Sequence, residues 1–101
     1  MESKRQQKFA GVIQKDLAEI FQREGKNFLP NTLVTITKVR VTPDLAIARV
    51  FLSFFHNQNT ALALNTIKAH ASEIRYKLGS RIKDQARIVP HLEFFVDDTN
   101  E

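Results

Sequence analysis

The run from Leu45 to Phe55 constrains the fold more than any other stretch. In an extended chain Ala46, Ala48, Val50, Leu52 and Phe54 fall on one side, and Ile47, Arg49, Phe51 and Ser53 on the other. Side chains alternate across a strand, so the first set makes a continuous apolar face and the second a mixed one. A long strand with apolar residues on both sides belongs at the centre of a sheet, with a neighbour along each edge.

The first neighbour precedes it. From Leu33 to Val41 β-branched residues dominate, which predicts a strand. Val34 and Ile36 require one phase of alternation, whereas Val39 and Val41 require the other. One extra residue near Thr37-Lys38, a bulge, reconciles the two halves. Thr42-Pro43-Asp44 supplies the turn, with Pro43 pre-setting the backbone for its first corner.

On either side of this hairpin the apolar period changes to that of a helix. Phe9, Val12, Ile13, Leu17, Ile20 and Phe21 step by three and four, predicting a helix over 4–24 with Ser3 as its cap and Gly25 as its left-handed terminator. Residues 26–32, with Asn27, Pro30 and Asn31, read as a loop. Asn57 to Thr60 breaks the second strand and offers caps. Beyond it Leu64, Ile67, Ala71, Ile74, Leu78 and Ile82 keep helical spacing, so periodicity alone predicts one helix from about Thr60 to Gln85, with Gly79 a mild cost inside it. Ile88, Leu92, Phe94 and Val96 then alternate as a third strand, and Pro90 confines itself to an edge or to the strand's beginning.

The order α-β-β-α-β is that of an α+β domain with helices on one face of a small sheet. The handedness of crossover connections places the third strand parallel to the second. At 101 residues the chain suits a single domain, 1-101, with short flexible ends at 1-3 and 98-101 expected.

Charge narrows the function. Residues 1–91 carry fifteen basic and seven acidic side chains, because four of the eleven acids fall in the last ten positions. Lys68, Arg75, Lys77, Arg81, Lys83 and Arg87 crowd into twenty positions, opposed there only by Glu73 and Asp84. A field of that sign attracts polyphosphate chains and displaces their counterions, which makes nucleic acid the first partner to consider. With no cysteine, disulfides, thiolate zinc sites and Cys nucleophiles are excluded. His56 and His91 lack a second ligand at a metal-site spacing, so no metal and no cofactor are expected. No nucleophile elbow, Walker loop or dinucleotide fingerprint occurs, and neither an enzyme nor a small-molecule substrate is expected. The polar N-terminus and the absence of a long apolar run argue for a cytoplasmic protein without a membrane partner.

Three stretches give this pattern a family likeness. Val41-Thr42-Pro43-Asp44-Leu45-Ala46-Ile47-Ala48-Arg49-Val50 covers the hairpin, Ile74-Arg75 with Leu78-Gly79 the helical segment, and Arg87-Ile88-Val89-Pro90 with Leu92, Phe94 and Asp97 the end. In that order, and over nearly the whole chain, they resemble ribosome-binding factor A, a bacterial assembly factor of the small ribosomal subunit. The resemblance implies a KH-like domain of type II topology, α-β-β-α-kink-α-β. The kink would replace the Gly-x-x-Gly loop with which most KH domains clamp nucleic acid, and Gly11, Gly25 and Gly79 provide no such pair. The family's kink follows an Ala-x-Gly pattern, where this chain has His70-Ala71-Ser72. A capping role for Ser72 is one way to make the break, and an unbroken helix is the alternative.

The resemblance also implies a function. It is binding to small-subunit rRNA in the immature small ribosomal subunit, in support of late maturation, rRNA 5′-end processing and cold adaptation, as a monomer. Lys68 and Arg75 lie one heptad apart on an ideal helix, with Lys77, Arg81, Lys83 and Arg87 alongside as candidate phosphate contacts. Arg5, Lys8 and Lys15 are weaker candidates, because Asp16, Glu19 and Glu24 accompany them. Arg49 with Phe51 on the outer sheet face is a candidate for base stacking. Two alternatives stand beside this reading, a homodimeric protein-interaction module using the face around Ile47, Phe51 and Phe55, and a generic single-stranded nucleic-acid binder. The chain ends soon after the third strand, so the disordered tail of many such relatives is expected to be missing or very short.

Overall fold

A computed structural model describes residues 2–55 and 59–97. Helix α1 (Lys4–Phe28) leads into strands β1 (Leu33–Val41) and β2 (Ile47–Phe55), then helices α2 (Thr60–Ala69) and α3 (Ala71–Ile82), and finally β3 (His91–Val96). The sheet order is β1-β2-β3, antiparallel between β1 and β2 and parallel between β2 and β3. β2 is therefore central, as its two apolar sides require. Ala48, Val50 and Leu52 are fully buried against the helices, with Ile13 and Leu17 of α1, Ile67 of α2 and Ile74, Leu78 and Ile82 of α3.

The phase change in β1 is resolved by a register shift between Ile36 and Lys38. Ile36, Val39 and Val41 all reach the core as a result. The extra residue, Thr37, turns its hydroxyl outward to the Asp97 carboxylate and to the Phe51 carbonyl. At the other end of β1 the capping box of α1 forms a tie between layers. Ser3 Oγ accepts from the Gln6 amide at 3.1 Å, the Ser3 amide donates to Gln6 Oε1 at 2.9 Å, and buried Gln6 Nε2 donates to the Val41 carbonyl at 2.8 Å. One glutamine thus satisfies an orphan donor of the helix start and fixes where that helix meets the sheet.

Three boundaries differ from expectation. α1 does not stop before Gly25, which has a negative φ and lies buried inside the helix. One more turn brings Phe28 into the core, edge-on to Phe21 at 6.3 Å between ring centres, and burial of that ring outweighs the weak helix propensity of glycine. Left-handed backbone appears instead at Asn31. β2 begins at Ile47, because Leu45 closes the turn: its amide donates to the Thr42 carbonyl at 2.8 Å and its φ is 61°. A branched side chain in that region costs about 1–2 kcal/mol. Ile88 belongs to the connection before β3 and not to the strand, and it stands 70% exposed.

The single long helix predicted over 60–85 is two helices broken at His70. His70 has φ −101° and ψ 12°, its amide turns back to the Ile67 carbonyl at 2.9 Å, and its carbonyl accepts from the Ile74 amide to begin α3. The ring completes the break. Nδ1 lies 2.9 Å from the Thr66 carbonyl, which only accepts, so it donates to a group that the end of α2 would leave unpaired. The ring also leans on Phe28, with ring centres 4.8 Å apart and planes tilted by 48°. Ser72 is not the cap, since His70 occupies the cap position and no side chain bonds to the start of α3.

After Ile82 the chain crosses to β3 through Lys83 to Pro90, and two residues of α3 hold that connection down. Arg75 Nε donates to the Pro90 carbonyl at 3.0 Å and Nη2 to the Val89 carbonyl at 2.7 Å. One turn on, Gly79 leaves room for Val89, whose γ-methyl would lie 2.9 Å from a Cβ added at the glycine. The apparent interior weakness of α3 is thus the space into which the crossover packs.

Arg75→Ala removes two charge-assisted hydrogen bonds and is expected to lower stability by about 2 kcal/mol, with Arg75→Lys in between, as read by urea denaturation. Unchanged stability for the alanine variant would refute the clamp. Gly79→Ala gains about 1 kcal/mol of helix propensity but forces the stiff Val89 to move, for a net loss of roughly 1 kcal/mol and a Tm about 4–8 °C lower. Adding Val89→Ala is expected to remove most of that penalty beyond additivity.

Candidate nucleic-acid interface

Of the nine cationic residues offered as phosphate contacts, Lys15 stands exposed on α1 and the other eight divide into two groups. Three are engaged within the protein. Arg81 reaches from α3 to α1, where its Nε bonds Asp16 at 3.1 Å and its Nη2 bonds Glu19. Lys77 donates to Glu24 at 2.8 Å and sits 3.9 Å from Glu73. That hydrogen bond to Glu24 is the main reason its ammonium is held above the usual lysine range. Arg75 is the clamp already described. The carboxylates expected to neutralise the basic residues of α1 therefore neutralise α3 instead, because the two helices pack side by side. Separation in sequence hid this pairing. The break at His70 also removes the continuous helix on which Lys68 and Arg75 would share a face.

The other five, Arg5, Lys8, Lys68, Lys83 and Arg87, are exposed and have no ionic or hydrogen-bond partner among the described residues. Four of them converge, and Lys68, on α2, stands apart. Arg5 and Lys8 on the first turns of α1 border a cleft of about 580 Å³, bounded on its other sides by the β1-β2 turn and by Gln85 to Ile88. Lys83 and Arg87 border a shallower groove along α3 with Arg75, Tyr76 and Val89. Arg87 and Ile88 are common to both, so the two depressions meet at that point of the crossover. Local rules explain why these side chains end up there. The capping box sets the start of α1 against the end of β1, and the Arg75 clamp lays residues 83–90 alongside.

Both depressions are partly apolar. Tyr76 is 77% exposed on the α3 groove, and the cleft contains Phe9, Val12, Leu45 and Ile88. Its one carboxylate, Asp44, faces its own turn: Oδ1 accepts from the Thr42 hydroxyl at 2.7 Å and from the Ala46 amide at 3.1 Å. The Thr42 bond, followed by the amide, holds this carboxyl below the usual aspartate range. Alternation alone assigns Leu45 and Ile88 to strands. The available signal was Pro43 two residues before Leu45 and Pro90 two residues after Ile88, each marking where extended backbone gives way to a connection.

On the outer sheet face Phe51 stacks on Phe95 at 5.3 Å, and Lys38 Nζ lies 4.7 Å over the other face of Phe51. Both faces of Phe51 are thus covered within the chain. Arg49 is 3.1 Å from Glu93, the residue it pairs with across the β2-β3 ladder. His56 lies outside the described residues, as do Met1 and 98–101. Among the described residues no three His, Cys, Asp or Glu side chains are grouped to hold a metal ion, and no helix is long and apolar enough to cross a membrane.

This architecture and this sequence have counterparts. The crystal structure of ribosome-binding factor A from Thermus thermophilus superposes with a TM-score of 0.74 at 23% identity, over 90% of this chain and 94% of that one. Coordinates of the T. thermophilus factor fitted into the cryo-EM map of a 30S complex give 0.71 at 23% identity, over 90% and 93% of the two chains. At that identity the likeness establishes the fold, which is KH-like. In sequence, ribosome-binding factor A of Cytophaga hutchinsonii is 43% identical over 98 residues, spanning 97% of this chain and 74% of its own length. The family model described as Ribosome-binding factor A matches residues 5–101, so with that relative the chain belongs to the ribosome-binding factor A family.

Proposed function

We propose that this protein is a non-enzymatic assembly factor that binds the immature small ribosomal subunit through its rRNA and supports late maturation, including rRNA 5′-end processing and growth in the cold. Membership of the family supports the partner, as does the 30S complex of the T. thermophilus factor. The observation that carries the surface is the convergence of unpaired Arg5, Lys8, Lys83 and Arg87 on two depressions that meet at Arg87. Cations with no internal partner are available to neutralise phosphates, whereas Lys77 and Arg81 would first have to leave carboxylates.

Acting as a monomer, the protein stabilises a precursor arrangement of the rRNA by binding it better than the mature one. It leaves when that difference disappears, which requires no covalent step. A second reading, a homodimer formed through the outer sheet face, is favoured by one observation: Leu33 and Phe55, partners across the β1-β2 ladder, are both exposed apolar residues. Light scattering separates the two, because a tight dimer indifferent to RNA supports only the second.

Co-sedimentation with precursor and mature small subunits at several salt concentrations tests the first reading. Binding is expected to prefer the precursor and to fall steeply with salt. Lys83→Glu and Arg87→Glu together are expected to lower the logarithmic salt slope by about 2 while the Tm stays unchanged. Equal occupancy of both particles, or binding insensitive to salt, rejects it. Reversal of Arg75 or Arg81 is not an equivalent test, since it breaks the crossover clamp or the α1-α3 ion pairs.

A further inference from the structure

We infer that the cleft between the start of α1, the β1-β2 turn and the α3-β3 crossover receives one unstacked nucleobase of an RNA strand, with the flanking phosphates on Arg5, Lys8 and Arg87. This rests on the reading of the protein as an rRNA binder and specifies what its surface takes. Phosphate contacts alone would need only the cationic rim. The cleft has in addition an apolar interior of half-buried Phe9, Val12 and Leu45, extended outward by the exposed Ile88. A base paired and stacked in a duplex presents no face to such a recess, whereas a bulged or loop nucleotide presents both its faces.

Three features of the cleft fit that occupant. Its volume of about 580 Å³ lies within the range, roughly 300–1,000 Å³, of sites that enclose a small ligand. The charge is complementary, with three unpaired cations on the rim and one carboxylate, Asp44, already satisfied by Thr42 and Ala46. The interior is also held in place independently of any ligand. Leu45 keeps its side chain in the cleft although its backbone is left-handed at φ 61°, a conformation imposed by the turn bond to Thr42. The rim is fixed on one side by the Gln6–Val41 bond and on the other by the Arg75 clamp. A preorganised recess binds a base without first reordering the chain.

The test uses the full chain and two RNA hairpins that differ in one respect. In the first a single 2-aminopurine nucleotide is bulged from the stem, and in the second the same 2-aminopurine is paired with uridine. The bulged RNA is expected to bind roughly tenfold tighter, with a change in 2-aminopurine fluorescence on binding that the paired RNA does not show. Leu45→Asn, which tolerates the left-handed backbone, and Ile88→Ser, at an exposed position, are each expected to bring the preference below about threefold. Both are expected to leave the salt slope as it was, and Ile88→Ser, at an exposed site, to leave the Tm unchanged as well. Arg87→Glu is expected to do the reverse, weakening both RNAs and lowering the slope while keeping the preference. Equal affinity of the wild-type protein for the two hairpins, or a preference that survives both substitutions, overturns the inference. If precursor subunits still bind in that case, only the base-receiving role is lost. If neither RNA nor subunits bind, the assembly-factor reading falls as well.

Discussion

Arg75 decides where the crossover from α3 to β3 lies. Its guanidinium fork bonds two successive carbonyls, those of Val89 and Pro90, just before the chain joins the sheet beside β2. Arg87 and Ile88 follow from that placement, and with them the meeting point of the cleft and the α3 groove. Gly79 cooperates by having no side chain where Val89 comes down. A residue that the charge pattern marks as a phosphate ligand thus works mainly as a structural element. Its contribution to binding is to hold other cations in position.

The same distinction runs through the rest of the basic surface. Counted along the chain, α1 carries six basic and three acidic residues and α3 three basic and one acidic. In the folded protein Asp16, Glu19 and Glu24 of α1 hold Arg81 and Lys77 of α3, so the excess positive charge moves away from that seam to the start of α1 and to residues 83–87. Surface ion pairs of this sort contribute little to stability individually. Their effect here is on the location of the field, because a paired cation contributes little net charge and an unpaired one contributes fully.

The strands were legible wherever the alternation was strong. The phase change between Ile36 and Val39 disclosed the bulge, the apolar residues on both sides of β2 its central position, and the handedness of the crossover the parallel course of β3. The ends of elements were less legible, because tertiary packing sets them. Gly25 looked like a terminator, but burial of Phe28 carried the helix one turn further. The break at His70 carried no local signal in the apolar period, since Ile67 and Ile74 are a heptad apart and both stay buried. It is produced by a ring that bonds Thr66 on one side and packs on Phe28 on the other, and both partners depend on the assembled fold. The candidate interface was legible in kind but not in detail. Composition pointed to the right chemistry, whereas the division between engaged and available cations depends on which helices lie side by side.

The bulge at Thr37 gives β1 a sensitivity that its composition does not suggest. Because one surplus residue separates Ile36 from Lys38, the two halves of the strand address the same interior with opposite parity. Paired without the bulge at its present length, β1 would send Lys38 and Arg40 inward in place of Val39 and Val41, whereas loss of the single surplus residue would leave Ile36, Val39 and Val41 on the same side of a regular strand, and exchange of Thr37 for another small polar residue would leave the parity untouched. At this position the two-against-one pairing, and not the identity of Thr37, keeps both halves of the strand facing the core.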